Sequence, residues 1–228
     1  MRKLVTTAGV AVAALALAGA ALAFTQVANI TLTAKKAGAS TGIKADVHAT
    51  FATGETPKAA KLIVVTFPAN TTFHLNRVKA CTLSNSQLEK GKSCPGTSKV
   101  GSGTATAVPV PLPFTVNAKV QAYAAGASTM VMIVKGSATV GAQKIAQTIV
   151  IRETVKGSKL TIPVPTPTIG GVAKVTLTGL KLVVPTRGTA KTALINAGKC
   201  TAGQFVVKTH FRYDDGSQKD LTSSSPCS

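Results

Sequence analysis

Alternation of apolar and polar residues is the feature that most restricts how this chain can fold. Within residues 116–123, polar side chains separate the apolar residues Val116, Ala118, Val120 and Ala122. The same period of two runs through residues 47–51 and again through residues 204–213. Side chains of a β-strand point alternately to its two faces, so this period predicts strands with one face buried and one face in water. The sequence therefore predicts an all-β chain.

Turn-forming residues divide the alternating segments into about ten short strands. Asp215-Gly216 predicts a tight hairpin between two of them, because this dipeptide readily adopts the backbone angles of a two-residue turn. Residues 62–67 and 130–134 are apolar on both faces, which predicts central strands. The predicted fold is an antiparallel β-sandwich, immunoglobulin-like or related, with one short helix near residues 84–90.

A glycine marks a change of phase in one predicted strand. Val175 and Leu177 are apolar positions before Gly179, whereas Leu180 and Leu182 are the apolar positions after it. A change from odd to even positions needs one extra residue in the strand, which a β-bulge supplies. We therefore predict a bulge at Gly179.

Two segments carry proline at every second position, namely Pro109, Pro111 and Pro113, and Pro163, Pro165 and Pro167. Proline has no backbone N–H to donate, so these segments are predicted to be strand edges or connectors. A peptide-docking segment is the less favoured interpretation. Similar strands follow at residues 118–120 and 173–175, and either an internal repeat of two half-domains or chance similarity accounts for them.

The N-terminus has the three parts of a signal peptide. Basic residues 2 and 3 precede an apolar stretch, residues 4–22, and Ala21-Leu22-Ala23 has the small-residue pattern that signal peptidase recognises. We predict cleavage after Ala23, which leaves residues 24–228 as the β-sandwich domain, with an uncleaved membrane anchor as the alternative. No later apolar stretch approaches the ~18 residues needed to span a bilayer. The predicted location is extracellular or in the cell wall.

The four cysteines, Cys81, Cys94, Cys200 and Cys227, fit an oxidising destination. Four cysteines allow three pairings, and proximity in the sequence favours Cys81–Cys94 together with Cys200–Cys227. A metal site or a reactive thiol is the alternative interpretation. The spacing differs from that of zinc ribbons, and no histidine lies near any cysteine. We predict two structural disulfides, with the short helix inside the loop that the first one closes.

Two segments of the chain resemble a group of exported proteins. Residues 94–103 read Cys-Pro-Gly-Thr-Ser-Lys-Val-Gly-Ser-Gly and follow Cys81, and the second segment runs from Cys200 through Tyr213 to Cys227. Both are similar to uncharacterised exported β-rich proteins of high-GC Gram-positive bacteria that contain a Cys-x12-Cys-Pro-x-x-Ser-x-Val-Gly-x-Gly segment. The resemblance implies an exported β-rich domain and transfers no catalytic residue.

No motif in the sequence names a reaction. The Gly-x-Ser-x-Gly setting of many serine hydrolases is missing, and the histidines, His48, His74 and His210, are isolated from one another. Only seven acidic residues are present, which is poor support for a pair of catalytic carboxylates. The segment 214–217 lacks the alternating acidic ligands of a calcium loop. We therefore predict a protein that is not an enzyme and has no cofactor and no bound metal.

The chain is strongly basic. Its formal net charge of +19 becomes +17 when Arg2 and Lys3 leave with the signal peptide. A charge of this size attracts any dense polyanion. The chain has no Trp and two Tyr, so it lacks the stacking aromatics that accompany base recognition, and we predict no sequence-specific nucleic-acid binding.

Two functions remain open. The first is a structural or binding protein that associates with an anionic cell-wall polymer or an acidic membrane surface. Alternation places Lys119, Lys208 and Arg212 outward, and Lys181 is expected to join them as a contact for the polyanion. The second is a carrier that encloses a hydrophobic ligand such as a lipid. An apolar cavity of ~300–1,000 Å³ would favour the carrier, whereas a solid core with a basic face would favour the first function. No oligomeric state is predicted.

Export determines the mass expected for the mature protein. Cleavage after Ala23 makes Phe24 the first residue of the secreted product. Intact-mass analysis of protein recovered from the medium or wall fraction of a high-GC Gram-positive host should give the mass of residues 24–228 with both disulfides formed. A product that keeps Met1 and stays in the membrane fraction would contradict this topology.

Overall fold

The computed structural model of the chain describes residues 24–51, 55, 57–111, 114–140, 143–169 and 173–228. The predicted signal peptide and Pro113 lie outside these residues. One α-helix, α1 (Asn85–Glu89), and two 3-10 turns (Leu75–Arg77 and Gly96–Ser98) occur within them. The strands are β1 (Thr25–Leu32), β2 (Ile43–Thr50), β3 (Ala60–Thr66), β4 (Thr72–Phe73), β5 (Lys99–Val110), β6 (Val116–Ala124), β7 (Thr129–Val140), β8 (Gln143–Lys156), β9 (Lys159–Pro163), β10 (Thr168–Ile169), β11 (Ala173–Val184), β12 (Ile195–Asn196), β13 (Gln204–Tyr213) and β14 (Gln218–Pro226).

Eleven of these strands form one antiparallel sheet, in the order β1-β2-β11-β5-β6-β7-β8-β9-β3-β13-β14. The short strand β10 pairs with β11 beside this path. The sheet is nearly closed into a barrel, because its edge strands β1 and β14 come together. Each strand of the path therefore has one face toward the barrel interior and one face on the outside.

The all-β class and the antiparallel pairing are confirmed, but the predicted sandwich is not. The main core contains Ile30 of β1, Val120 of β6 and Phe211 of β13, which come from distant parts of one rolled sheet. Alternation along a strand indicates that one face is buried. It does not indicate whether a second sheet or the far wall of the same sheet covers that face.

Several local predictions are confirmed. Residues 62–67 and 130–134 fall in or next to β3 and β7, which both lie between two neighbouring strands. The hairpin at Asp215-Gly216 joins β13 to β14, and Gly216 has a φ of 84°. The predicted helix is α1, which has Ser84 as its N-cap and a capping box.

The bulge predicted at Gly179 is present in β11. Leu177 lies opposite Ala107 of β5, while Gly179 lies opposite the adjacent residue Thr106, so β11 has one extra residue. The extra residue allows Leu177 and Leu180 both to line the barrel interior. A side chain at position 179 would contact the Thr106 hydroxyl, so a larger residue there requires the Thr106 side chain to move.

The described proline residues of the two segments lie at strand ends and in connectors, but not in edge strands of the sheet, because β5 and β9 each have a neighbouring strand on both sides. Pro109 lies in the last part of β5, which pairs with β11, whereas the register of β5 with β6 ends at Ala107. Pro163 ends β9, and Pro165 and Pro167 lie in the connection that leads to β10. Pro109 and Pro163 therefore lie near the ends of their ladders, where a missing N–H disrupts the sheet least.

Side chains, rather than a backbone ladder, join the two edge strands. Ser223 of β14 accepts a hydrogen bond from the Ile30 N–H at 3.1 Å and donates one to the Ile30 carbonyl oxygen at 2.7 Å. Ser225 accepts from the Leu32 N–H at 3.3 Å. These bonds satisfy backbone groups that an open sheet edge would expose to water or to another chain.

Both disulfides have the pairing that sequence proximity favours, Cys81–Cys94 and Cys200–Cys227. The second one fastens the residue after β14 to the segment between β12 and β13. Next to it, the Ser228 N–H donates to the carbonyl oxygen of Lys35, beyond the end of β1, at 2.7 Å. The covalent link restricts the unfolded chain and holds the edge strand β14 in place.

Two segments outside the main sheet cover part of the barrel interior, and we call residues 67–78 and 187–197 the plug. Strand β4 of the plug pairs with β12 in a separate two-stranded sheet. Phe67, Leu75 and Leu194 of the plug are buried in the main core. The plug therefore shields the interior at the place where these side chains enter it.

The Cys81–Cys94 loop covers part of the outer face. Leu88 of α1 packs in one cluster with Val131 of β7 and Val150 of β8. Arg152 donates to the Asn85 side chain and to the Leu83 carbonyl oxygen, both at 2.6 Å. The loop buries Val131, which points outward, and this explains why residues 130–134 are apolar on both faces.

Replacing Ser225 by alanine should weaken the closure of the barrel. The buried Leu32 N–H then loses its acceptor, which typically costs ~1–3 kcal/mol of unfolding free energy. Ser224→Ala is the matched control, since Ser224 is exposed on the same strand. Urea denaturation should show a lower midpoint for Ser225→Ala alone. Equal midpoints for the wild type and both variants would show that Ser225 does not hold the edges together.

Candidate functional site

The barrel interior contains an apolar cavity of about 90 Å³. Its walls come from distant strands and from the plug, and include Ile43, Ile63, Val100 and Leu194. The space exceeds the ~10–15 Å³ that one water molecule needs. It lies well below the ~300–1,000 Å³ of ordinary ligand pockets, so the interior in this form is too small for a lipid.

Glu153 is the charged residue in the lining of this cavity. It lies on β8, opposite Met130 of β7, and its exposed fraction is 2%. Among the described residues, none donates a hydrogen bond to its carboxyl group or forms an ion pair with it. Burial raises the pKa of Glu153 to about 7, because the charged form loses water and gains no partner.

Gln26, a polar residue at the same cavity, has its hydrogen-bond partners within the protein. It donates to the His48 carbonyl oxygen at 3.1 Å and accepts from the Tyr213 hydroxyl at 3.3 Å. Burial raises the pKa of Tyr213 to about 12, and the negative charge of Asp215 adds to the effect. Glu153 differs from both residues, because its ionisable group faces the apolar space without a partner.

A second cavity of about 40 Å³ adjoins the first. Alanines of β5, β6 and β7 line much of it, and Val164 and Leu177 line both cavities. Along β8, Ile149 lines the second cavity and Glu153 lines the first. The two cavities therefore follow one another along the barrel.

Three lysines lie in one cross-strand row on the outer face, and we call Lys181, Lys119 and Lys135 the first lysine row. Lys181 of β11 is opposite Thr104 of β5, Thr104 is opposite Lys119 of β6, and Lys119 is opposite Lys135 of β7. All three lysines are exposed. Neighbouring strands are ~4.8 Å apart, so the row spans ~14 Å.

A second lysine row consists of Lys156, Lys159 and Lys208, on β8, β9 and β13. Lys156 is opposite Lys159, Lys159 is opposite Thr66 of β3, and Thr66 is opposite Lys208. These three lysines are also exposed. Arg212, the remaining predicted contact, is exposed further along β13 and belongs to neither row.

Asp46 of β2 is the acidic residue next to the first lysine row. One carboxylate oxygen lies 3.6 Å from the Lys181 ammonium nitrogen, and the other lies 3.2 Å from the His48 ring. Three further aspartates form pairs elsewhere: Asp214 with Lys174, Asp215 with Lys58, and Asp220 with His210. With three lysines and one adjacent aspartate, the first lysine row keeps a net positive charge.

The described histidine and acidic side chains of the outer face do not form a metal-binding cluster. Among the described residues, no group of three or more His, Cys, Asp or Glu side chains is placed to hold a metal ion. His48 and His210 lie on the outer face, and each ring contacts an aspartate, at 3.2 Å and 2.8 Å respectively. Every cysteine of the described chain is in a disulfide.

The structure adds residues that sequence reasoning did not select. Glu153 follows Ile149 and Ile151 at every second position of β8, so alternation predicts that its side chain points inward. A charged residue among inward-facing positions could therefore have been recognised from the sequence. Lys135, by contrast, carried no such signal. Its place beside Lys119 depends on the register between strands, which the alternation within one strand does not encode.

No protein-family model, curated protein or solved structure matches the chain. Within the part of the chain that the structure describes, no helix is long and apolar enough to cross a membrane. The two disulfides are consistent with an extracellular location. The lysine rows and the cavity that contains Glu153 are therefore the candidate sites in the described part of the chain.

Glu153 should make the protein less stable as the pH rises. Its pKa is about 7 in the folded protein and near the ordinary 4.5 in the unfolded chain, so the folded protein holds the proton more tightly. The corresponding stability is fully present below about pH 4 and is lost as the pH rises through about 7. The expected loss of unfolding free energy is ~3 kcal/mol, since one pKa unit corresponds to ~1.4 kcal/mol.

Glu153→Gln should remove this pH dependence and should be more stable than the wild type at pH 8. Glu89→Gln is the matched control, because Glu89 is exposed on α1. The measurement is urea denaturation of the three proteins between pH 4 and pH 8. Parallel loss of stability in the wild type and Glu153→Gln would mean that Glu153 does not titrate in an apolar interior.

Proposed function

We propose that this is a non-catalytic protein, secreted or held in the cell envelope, that binds anionic cell-wall polymers through its lysine rows. The observation that carries the proposal is the register of Lys181, Lys119 and Lys135 across four neighbouring strands. Lysine contributes a flexible point charge, so such a row recognises charge density more than a particular ligand shape.

The first lysine row is destabilising for the protein alone. Lys119 and Lys135 are directly opposite each other on adjacent strands, and like charges in this position repel. A polyanion bound over the row lowers this repulsion, and a ligand that binds the folded protein alone also stabilises it. Binding of the polymer and stability of the sheet are therefore coupled.

The placement of the two lysine rows favours a flexible polymer over a flat membrane as the partner. The first lysine row crosses β11 to β7, and the second crosses β8 to β13, so the rows face different directions around the barrel. A flat surface contacts one of these directions at a time. A linear polyanion follows the curved wall and reaches lysines of both rows.

The alternative, a carrier of a lipid or another large hydrophobic ligand, has less support. The cavity that contains Glu153 has a volume of about 90 Å³, below the ~300–1,000 Å³ of ordinary ligand pockets. A larger and more open cleft of about 430 Å³ has Asp46, His48 and Lys181 in its lining, so it is not a closed apolar site for a lipid. The outer face carries the charge excess instead, with six lysines in the two rows. These features favour binding at the surface.

Neutralising the first lysine row should weaken binding to purified cell walls. The triple variant Lys181→Gln, Lys119→Gln and Lys135→Gln removes three adjacent charges, each worth ~1 kcal/mol at an anionic surface, so affinity at low salt should fall about 100-fold. A control variant with Lys36, Lys61 and Lys90 each replaced by Gln changes the net charge equally at separate exposed positions. The affinity of this control variant for cell walls, measured by co-sedimentation, should fall much less.

Two further measurements, binding at high salt and binding to anionic vesicles, test the nature of the partner. Wild-type binding should disappear at 1 M salt, where the Debye length is ~3 Å. Absence of binding at low salt, binding that survives 1 M salt, or equal losses in the two triple variants would contradict the proposal. Stronger binding to anionic vesicles than to walls would identify a membrane surface, rather than a polymer, as the partner.

A further inference from the structure

Glu153 places an unpaired carboxyl group in an apolar space, which is unfavourable for the folded protein. Its exposed fraction is 2%, it lines the cavity of about 90 Å³, and it has no partner among the described residues. Buried ionisable groups in native proteins are ordinarily paired or hydrogen-bonded. A buried and unpaired group beside a cavity indicates a partner that comes from outside the chain.

The chemistry of that partner follows from the carboxylate. An ionised carboxylate only accepts hydrogen bonds, so its partner must donate them. A cationic donor also cancels the buried charge and forms stronger bonds than a neutral donor. We infer that the barrel interior binds a small aliphatic amine, whose ammonium group pairs with Glu153 and whose hydrocarbon chain fills the cavity. The inference is independent of the proposed function, because the outer lysines take no part in it.

The cavities restrict the size and shape of the amine. Their volumes are about 90 and 40 Å³, and neither reaches the ~150 Å³ of a cavity known to admit benzene. Val164 and Leu177 line both cavities, so a narrow chain that fills the first can continue into the second. Ile149 of the second cavity lies ~13 Å from Glu153 along β8, at the usual strand rise. An unbranched chain therefore fits better than a ring.

The plug determines the orientation of the amine. Phe67, Leu75 and Leu194 of the plug line the same cavity as Glu153, whereas none of them lines the second cavity. The ammonium group therefore lies in the cavity that the plug covers. The hydrocarbon chain points away from the plug, toward the alanines of the second cavity.

Binding of the ammonium form displaces a proton from Glu153. The neutral carboxylic acid loses its proton to water, and the resulting carboxylate pairs with the ammonium group, so charge and atoms balance. The pKa of Glu153 is about 7, so the displacement is nearly complete at pH 6 and absent well above pH 8. No other Asp, Glu, His, Lys or Arg side chain of the described residues lines this cavity. Tyr213, which donates to Gln26 at the wall, has a pKa of about 12 and stays neutral.

A matched set of ligands tests the inference on the intact mature protein. Hexylamine, hexanol and hexanoate share one chain and differ in the head group. Calorimetric titration at pH 7 should detect binding of hexylamine, at least tenfold weaker binding of hexanol, and no binding of hexanoate. Titrations of hexylamine at pH 6 in two buffers of different ionisation enthalpy should show the release of close to one proton.

Two variants separate the head-group contact from the hydrocarbon contact. Glu153→Gln keeps the side-chain size and should bind hexylamine at least tenfold more weakly, with hexanol unchanged, whereas Glu89→Gln on the surface should bind hexylamine as the wild type does. Ala105→Val fills part of the second cavity. In the wild type, affinity should rise about fourfold per added methylene from butylamine to octylamine, and in Ala105→Val this rise should stop at a shorter chain.

Each of several results would overturn the inference. The first is that the wild type and Glu153→Gln bind hexylamine equally well. The second is that hexanoate binds as tightly as hexylamine. The third is that Glu89→Gln and Glu153→Gln weaken the binding of hexylamine equally. Absence of binding for every amine from butyl to octyl would also overturn it. Loss of cell-wall binding in the lysine variants has no bearing on these outcomes, so the two proposals fail separately.

Discussion

The meeting of β1 and β14 is the interaction on which the rest of the structure depends. Ser223 and Ser225 bind the backbone of Ile30 and Leu32 and so join the two edges of one long sheet. Once the edges are joined, each strand of this sheet has one face toward the interior and one face on the outside. The apolar interior, the burial of Glu153 and the outward position of the lysine rows are all consequences of this separation.

The features that the sequence predicted correctly are encoded over short distances. The bulge at Gly179 follows from a phase change within a few residues, and each disulfide follows from the nearer pairing of cysteines. The short helix α1 is also local, because its capping box lies within its own first turn. The predicted sandwich is not confirmed, because the two edges of a single sheet meet instead. Ser223 and Ser225, which join these edges, lie in a short run of polar residues, and only the three-dimensional structure shows that they bind β1.

The same distinction applies to the candidate site. Alternation correctly placed Lys119 and Lys208 on the outer face, but their membership of two different rows depends on pairings between strands far apart in the sequence. Glu153 was readable in principle, as a charged residue in the buried register of β8. The sequence did not show that the carboxyl group of Glu153 is unpaired, because the hydrogen-bond and ion-pair partners of a side chain depend on the complete fold. The outer lysines and the inner carboxyl therefore support separate proposals on the two faces of one sheet.

The central claim is that the near closure of a single sheet shields an apolar interior from bulk water, and the ionisation of the Glu153 carboxyl group measures this shielding directly. A ¹³C NMR titration of glutamate side-chain carboxyl groups in the mature protein, with Glu153→Gln used to assign the resonance, measures the ionisation of this group. The expected midpoint for Glu153 lies near pH 7. A midpoint for Glu153 near pH 4.5 would show that the carboxyl group is hydrated as in the unfolded chain, and would contradict a shielded interior.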